Sequence, residues 1–362
     1  MLKEPFWQIA EKKAVSFMRH RVLDLYSLDT PEKNPRILII RRDNIGDLVC
    51  TTPLIQALRE QLPNAYIAAL VTRYNMAVME GNPDIDALFS YTKAKHLGPG
   101  ESALGIFWSR LVTIWNLRRQ RFDWILLPGG PQRSAMRFAR WIGAKKILIR
   151  DQEDTAGGSH HVEQCCHQLL RMGLQFETPS ARLTPNPDAV AKIKSTLPSD
   201  WKVLPGPVIT LHLSARKPSQ RWAASKFAEI THKLHEALGA KFILLWSPGA
   251  SDNPLHPGDD EKANEVLKVT ISLPVQAVRT ERLEDLIGAL SLSDAIICSD
   301  GGAMHLAAAL SKPMVCLFGD SDPEHWGPWK THHRTLQKPS REVDDISAQE
   351  VTSALVDLLG KS

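Results

Sequence analysis

Three polar turns in this sequence carry residue types that could do chemistry, and each follows an apolar run. The first, RRDNIGD (41–47), comes directly after ILII (37–40). A carboxylate at such a turn can act as a general base towards an alcohol, which makes Asp47 a candidate. Gly46 allows a tight backbone that would place Asp47 beside a cleft. The alternative interpretation is that Asp47 caps the helix after the turn.

The second and third turns suit an anionic ligand. In CSDGGAMHL (298–306), two glycines precede a predicted helix, and a helix N-terminus exposes backbone amides to anions. In LHLSARKPSQRW (211–222), the hydroxyl of Ser214 precedes a basic loop suited to phosphate oxygens. Each also has a plainer interpretation: a connection that uses glycine for backbone freedom, and a solvated loop in which Ser214 bonds its own backbone.

The elements that must position these turns are predicted from an alternation of short apolar runs and helical patterns. Buried strands joined by crossover helices predict an α/β fold with parallel sheets, whose ligands bind at the carboxyl ends of the strands. Strands are predicted at 37–40, 66–71, 124–128, 146–149, 208–213, 242–246, 295–298 and 314–318. Helices are predicted at 53–62, 107–119, 133–142, 160–173, 188–197, 222–238, 305–310 and 347–359, with another helical face at 283–290.

Prolines between residues 179 and 207 predict a hinge between two α/β halves, which would leave a ligand-binding cleft between them. The pattern of residues 1–35 predicts a separate amphipathic helical extension. Its apolar face fits either a basic helix lying on a membrane surface or a helix that caps the first half.

Composition narrows the class of protein. At 362 residues, 43% apolar and 23% charged, the chain fits a globular protein of two domains. A net charge of +4 does not indicate a nucleic-acid partner. Five cysteines without a CxxC pair predict reduced thiols, and the absence of a signal-peptide pattern predicts a cytoplasmic protein. P-loop, GxGxxG and GxSxG motifs are absent, which argues against nucleotide triphosphatases, dehydrogenases and α/β-hydrolases.

Taken in this order, the three turns resemble glycosyltransferase family 9, the bacterial ADP-heptose:lipopolysaccharide heptosyltransferases. The matching segments are ILIIRRDNIGDLVCTTPLIQALREQLPNAYI, LHLSARKPSQRWAASKFAEI and CSDGGAMHLAAALSKPMVCLFGDSDPEHWGPW, and the resemblance covers roughly residues 36–335. It implies a GT-B fold, in which two Rossmann-like domains face each other across a cleft. The implied division is an acceptor domain (36–185), a linker (186–206), a donor domain (207–340) and a C-terminal helix (341–362).

The resemblance also implies roles for particular residues. Asp47 would be the general base of an inverting heptosyl transfer from ADP-heptose to a lipopolysaccharide inner-core sugar, with no essential metal or other cofactor. Acceptor-binding positions would be Arg41, Asn44, Gly46 and Arg73; donor-binding positions would be Ser214, Lys217, Gln220, Arg221, Asp300, Gly301, Gly302 and His305. Gln220 departs from the lysine common in the family, so Arg221 or Lys217 would supply that charge. The implied location is cytoplasmic, with peripheral contact at the inner membrane as an option.

Two further patterns carry weaker predictions. HHVEQCCH (160–167) is rich in metal-ligand types but completes no zinc spacing, so a buried helix is favoured. Asp320-Ser321-Asp322 resembles a metal-binding Asp-x-Asp, yet Pro323 comes directly after it and a turn is favoured. The competing functions are the same fold with another donor sugar or acceptor, a non-catalytic sugar-nucleotide binder in envelope assembly and, more distantly, a dehydrogenase.

Overall fold

The structure, a computed structural model, describes residues 31–92, 103–151, 158–252 and 258–360. The first half is a five-stranded parallel sheet in the order β3-β2-β1-β4-β5. Its strands are β1 (Arg36–Ile40), β2 (Tyr66–Thr72), β3 (Ala87–Tyr91), β4 (Phe122–Leu127) and β5 (Ala144–Ile149). Its helices are α1 (Ile45–Val49), α2 (Thr52–Gln61), α3 (Ala103–Arg119), α4 (Arg133–Ile142) and α5 (His161–His167).

The second half repeats this arrangement with one more strand, in the order β11-β10-β9-β6-β7-β8, again all parallel. Its strands are β6 (Val208–His212), β7 (Lys241–Trp246), β8 (Val275–Arg279), β9 (Ala295–Ser299), β10 (Met314–Phe318) and β11 (His333–Gln337). The helices of the second half, with the one that precedes it, are α6 (Pro187–Thr196), α7 (Ala224–Leu238), α8 (Asp260–Val269), α9 (Leu283–Ser291), α10 (Gly302–Ala309), α11 (Pro323–Trp326) and α12 (Ala348–Gly360).

Each sheet reverses its strand order once, between β1 and β4 in the first half and between β6 and β9 in the second. Such a reversal opens a crevice at the carboxyl ends of the strands, where ligands of α/β proteins bind. The three polar turns of the sequence come after β1, β6 and β9, so all of them lie at these crevices. One hydrophobic cluster contains residues of both halves, among them Leu48 and Met304.

Most predicted elements are present, and the three strands that the sequence patterns missed were missed for the same physical reason. Strands β3, β8 and β11 lie at sheet edges and are only partly buried, so they lack the continuous apolar runs that mark β1 or β10. One assignment was wrong. Residues 45–47, assigned to the polar turn at 41–47, belong to helix α1 (Ile45–Val49).

The segment expected to be a linker carries helix α6, which packs against α9. A Cβ on Gly288 would lie 3.1 Å from the backbone carbon of Ala189, so the two helices approach closely. Lys192 donates to Asp285 across the same contact at 2.8 Å. Residues 1–30, which make up most of the predicted amphipathic extension, lie outside the described residues. Within the described ranges, no helix is long and apolar enough to cross a bilayer.

Candidate active site

Helix α1 of the first half and helix α10 of the second cross in direct contact, and this crossing builds the site. A Cβ on Gly46 would lie 2.4 Å from Cδ2 of His305, and one on Gly302 would lie 3.3 Å from Cβ of Ile45. Gly46 therefore serves a close helix–helix approach rather than the tight turn expected from sequence. The two glycines bring the first and second polar turns together.

Asp47 lies on α1 and uses its two oxygens differently. Oδ2 accepts from the backbone amide of Asn44 at 3.2 Å and from its side-chain amide at 3.0 Å, completing a capping box. Oδ1 accepts from Nη2 of Arg41 at 2.9 Å. The side chain keeps 15% of its surface exposed. Asp47 thus caps its helix, as the alternative interpretation has it, and also presents a fixed, accessible carboxylate.

Arg41 is buried, with only 1% of its side chain exposed, and it links two carboxylates. Its Nε lies 3.0 Å from Oδ2 of Asp43 while Nη2 reaches Asp47. The amide of Gln132 donates to the other oxygen of Asp43. Arg41 was expected to face an acceptor, but its side chain is buried against Asp43 and Asp47 instead.

His161, on α5, completes this cluster and was not among the residues predicted for the site. Its Nε2 lies 3.0 Å from Nη2 of Arg41, which can only donate, so Nδ1 carries the ring proton. Among the described residues Nδ1 has no hydrogen-bond partner. Burial, aided by Arg41 and Arg150, lowers the pKa of His161 to about 2, so the ring is neutral.

The ring of His161 also joins the two halves, because its centroid lies 4.5 Å from that of Trp326. The sequence signal that could have identified it is the HHVEQCCH pattern, which was weighed only as a metal site. Within the described ranges no group of three or more metal-ligand side chains is assembled.

The other two acceptor-side predictions lie at the same sheet edge. Asn44 is the N-cap residue of α1. Arg73 is exposed and begins a 3-10 turn directly after β2, the strand that pairs with β1. Two residues later, Asn75 donates to the backbone carbonyl of Asp43 at 3.3 Å. The turn that Arg73 begins therefore contacts the loop that precedes α1, and the contact of Arg73 with an acceptor stays a prediction.

On the donor side, Asp300 and Gln220 form a buried pair. The Gln220 amide donates to Oδ2 of Asp300 at 2.6 Å and to the Ser321 hydroxyl at 3.2 Å. Burial raises the pKa of Asp300, and Asp320 acts in the same direction. Lys217 donates to Asp320 at 3.2 Å. Gln220 thus replaces a charge with a neutral donor that anchors the glycine turn.

The remaining donor-side predictions lie at the N-terminus of α10 and in the loop after β6. Gly301 is exposed, and a Cβ there would meet nothing within 4 Å, so the adjacent amides are open to a ligand. Ser214 accepts from the amide of Ser247 at 2.8 Å, and Arg221 donates to the carbonyl of Ala215 at 3.3 Å. Both belong to the loop after β6, beside the crevice.

His305 is buried under the crossing of the two helices. Burial lowers its pKa to about 4, although the nearby Asp47 carboxylate acts in the opposite direction. Its Nδ1 lies 3.6 Å from Sγ of Cys50. His305 therefore packs between the halves as a neutral ring, and its edge meets the ring of Trp326 with 6.3 Å between centroids. Its contact with the donor stays a prediction.

The arrangement places an accessible carboxylate on one side of a crevice and an open helix N-terminus on the other. A carboxylate can take a proton from a hydroxyl, and a helix N-terminus stabilises an anionic leaving group. The chemistry favoured by this pairing is transfer of a group from a phosphorylated donor to an alcohol.

Comparison with known proteins gives consistent matches. The model of Glycosyltransferase family 9 (heptosyltransferase) matches residues 114–354. Lipopolysaccharide heptosyltransferase 3 of Escherichia coli is 25% identical over 300 residues, which cover 79% of this chain and 84% of that protein.

Two solved structures share the fold. The glycosyl transferase family 9 structure from Veillonella parvula DSM 2008 has a TM-score of 0.77 at 20% identity and covers 92% of this chain and 100% of its own. E. coli ADP-heptose lps heptosyltransferase II has a TM-score of 0.71 at 19% identity, covering 90% and 99%. The two facing parallel-sheet domains are the GT-B fold.

Proposed function

The chain belongs to glycosyltransferase family 9 (heptosyltransferase) and is a glycosyltransferase, and on that premise we propose that it moves a heptose from ADP-heptose to a sugar of the lipopolysaccharide inner core. The relative from E. coli is named a lipopolysaccharide heptosyltransferase, and one structural neighbour is named for ADP-heptose. We further propose that Asp47 is the general base of an inverting transfer.

The observation that carries this proposal is the crossing of α1 and α10. Gly46 precedes Asp47 and lies against His305, which is four residues after the open Gly301. A sugar held at the N-terminus of α10 would therefore lie near the carboxylate on α1. Proximity of this kind can account for a large part of the rate enhancement of a group transfer.

On the acceptor side, Asp47 would take the proton of the attacking hydroxyl as its oxygen bonds to the anomeric carbon. Because the developing centre is oxocarbenium-like, the transition state gains from a nearby anion as well as from proton removal. Arg41 would hold Oδ1 in place through its 2.9 Å contact. The Asn44 contacts fix Oδ2, so the carboxylate does not have to reorganise during the reaction.

On the donor side, the bond between the anomeric carbon and the phosphate oxygen would break and ADP would leave with its charge. We propose that the amides of α10 and the 214–221 loop receive this charge without a required metal. The Asp-x-Asp sequence supports this, because Asp320 pairs with Lys217 at 3.2 Å and Asp322 accepts from the amide of Glu324 at 3.0 Å. Both carboxylates are committed to protein partners.

Asp47→Asn tests the proposal, with Asp43→Asn as a matched control. Both carboxylates contact Arg41, and their side chains are 15% and 13% exposed. Since a general base contributes about 10²–10⁴-fold, we expect Asp47→Asn to lower kcat by at least about 100-fold. Asp43→Asn should lower it much less, and both variants should bind ADP-heptose as the native protein does.

The assay measures ADP release and identifies the glycosylated acceptor by mass spectrometry, with UDP- and GDP-sugars offered in parallel. Equal losses in the two variants would remove Asp47 from the role of base. Transfer from a UDP- or GDP-sugar in preference to ADP-heptose would instead overturn the donor assignment. The role of Asp47 would then be tested by comparing the same two variants with the preferred donor.

A further inference from the structure

Helix α3 exposes an apolar face that the site does not use. Its large apolar side chains occur as neighbouring pairs that repeat every four residues, so they form one stripe along the helix. They are between 36% and 63% exposed and comprise Phe107, Trp108, Leu111, Val112 and Trp115. We refer to these five residues as the aromatic face.

The opposite side of α3 is anchored, so the aromatic face belongs to a packed helix. Ile114 and Leu117 are buried in the cluster that covers one face of the first sheet. Arg110 donates to the carbonyl of Thr92 at 2.8 Å. Exposed aromatic groups on a well-anchored helix indicate an interaction surface, since soluble proteins rarely expose large contiguous apolar patches.

Positive charge surrounds the aromatic face. The guanidinium of Arg119 lies 4.5 Å from the ring centroid of Trp115. Arg118 donates to the carbonyl of Trp141 at 2.9 Å, which ties α3 to α4. On α4, exposed arginines recur at spacings of four and three residues and so share one side; they are Arg133, Arg137 and Arg140.

Much of the chain's positive charge is concentrated in this segment. Residues 103–146 hold nine lysines and arginines against one acid, Asp123, so this segment is net +8. The whole chain is net +4, which leaves the remainder at net −4. Neither α3 nor α4 contains an aspartate or glutamate.

We propose that the aromatic face and the arginines of α4 form a docking surface for an anionic lipid bilayer. Tryptophan and phenylalanine favour the membrane–water interface, and lysine and arginine near the surface attract anionic headgroups. A second copy is disfavoured as the occupant, because two net +8 surfaces would face each other. Residues 1–30 are net +1 and do not complement the charge either.

This surface is continuous with the site. Gln132, the N-cap residue of α4, donates to Asp43 in the loop that precedes α1, the helix of Asp47. Docking through α3 and α4 would therefore set the acceptor half against the bilayer. The proposal depends on the exposed side chains and the charge of α3 and α4. It does not depend on which donor or acceptor the protein uses.

Vesicle flotation of the full-length protein tests the proposal without nucleotide or acceptor. We expect binding to vesicles of phosphatidylglycerol and phosphatidylethanolamine, weaker binding to phosphatidylcholine alone, and a decrease as salt is raised. The double variant Trp108→Ser/Trp115→Ser should lose about tenfold or more in partitioning. Ile271→Ser, at a side chain 87% exposed in the other half, is the matched control and should bind as the native protein does.

A fluorophore at Val112→Cys identifies what covers the surface, since all five native cysteines are buried and label poorly. Its emission should shift to the blue when anionic vesicles are added. Emission that is already blue-shifted in free protein and unchanged by vesicles would show that another part of the chain or a second copy covers the face, which overturns the proposal. Equal flotation of Trp108→Ser/Trp115→Ser and native protein would overturn it as well.

Discussion

At the scale of single residues, the site depends on how one buried guanidinium is shared. Arg41 contacts Asp43, Asp47 and His161 at 2.9–3.0 Å, using atoms on one planar group. Only arginine offers several donors in a fixed fork, so lysine could replace its charge but not its geometry. Because His161 is neutral, Arg41 retains its charge for the two carboxylates.

Arg41→Lys should therefore lower kcat by about tenfold or more, since Asp47 would lose its fixed orientation. The adjacent Arg42→Lys is a matched control, because Arg42 is also buried but packs on the rings of Tyr91 and Phe138. It should lower stability by about 1 kcal/mol and leave kcat close to the native value. Steady-state kinetics and urea unfolding are measured for both variants. Similar losses of kcat in the two would indicate a general packing effect rather than lost orientation of Asp47.

At the scale of elements, function depends on two short helices that cross closely, each contributing a glycine to the contact. Gly46 on α1 and Gly302 on α10 each leave room for a side chain of the other helix. A larger residue would separate the carboxylate from the opposite helix N-terminus. The crossing therefore couples the packing of the two halves to the distance between base and donor.

Gly46→Ala should destabilise the protein by about 1–3 kcal/mol, because its Cβ would lie 2.4 Å from the buried ring of His305. Activity should fall as well. Gly301→Ala is the control, since nothing lies within 4 Å of its Cβ position, and its cost should stay below about 1 kcal/mol. Thermal and urea unfolding measure both; equal destabilisation would contradict a tight crossing.

At the scale of the whole molecule, two neutral histidines, His161 and His305, are buried where the two halves meet. The pKa of His305 is lowered to about 4 and that of His161 to about 2, in both cases chiefly by burial. In the unfolded chain both return to about 6.5. Below pH 6.5 the unfolded state binds more protons than the folded state, so stability decreases as the pH falls.

Each of these histidines should contribute a loss of about 2 kcal/mol in unfolding free energy between pH 7 and pH 5. His305→Gln should flatten this dependence. The exposed His232→Gln should leave it unchanged, which provides the control. Urea unfolding at a series of pH values measures the slope, and an unchanged slope in His305→Gln would contradict the neutral, buried state.

The sequence determined the elements and the chemistry available at their ends. Continuous apolar runs such as MVCLF coincide with strand β10, residue for residue, because burial on both faces requires apolar side chains throughout. The three polar turns were found because local patterns of glycine, acid and base are visible in one dimension. The partly buried edge strand β8 was missed because its sequence has no such run.

Only the tertiary structure decided which residues share a site. Arg41 and His161 are 120 positions apart, and Gly46 lies against a histidine from the other half. Periodicity shows which face of an element is apolar, but it does not show which element packs against it. The burial that neutralises His161 and orients Asp47 arises from that packing, so it exists only once the two sheets have come together.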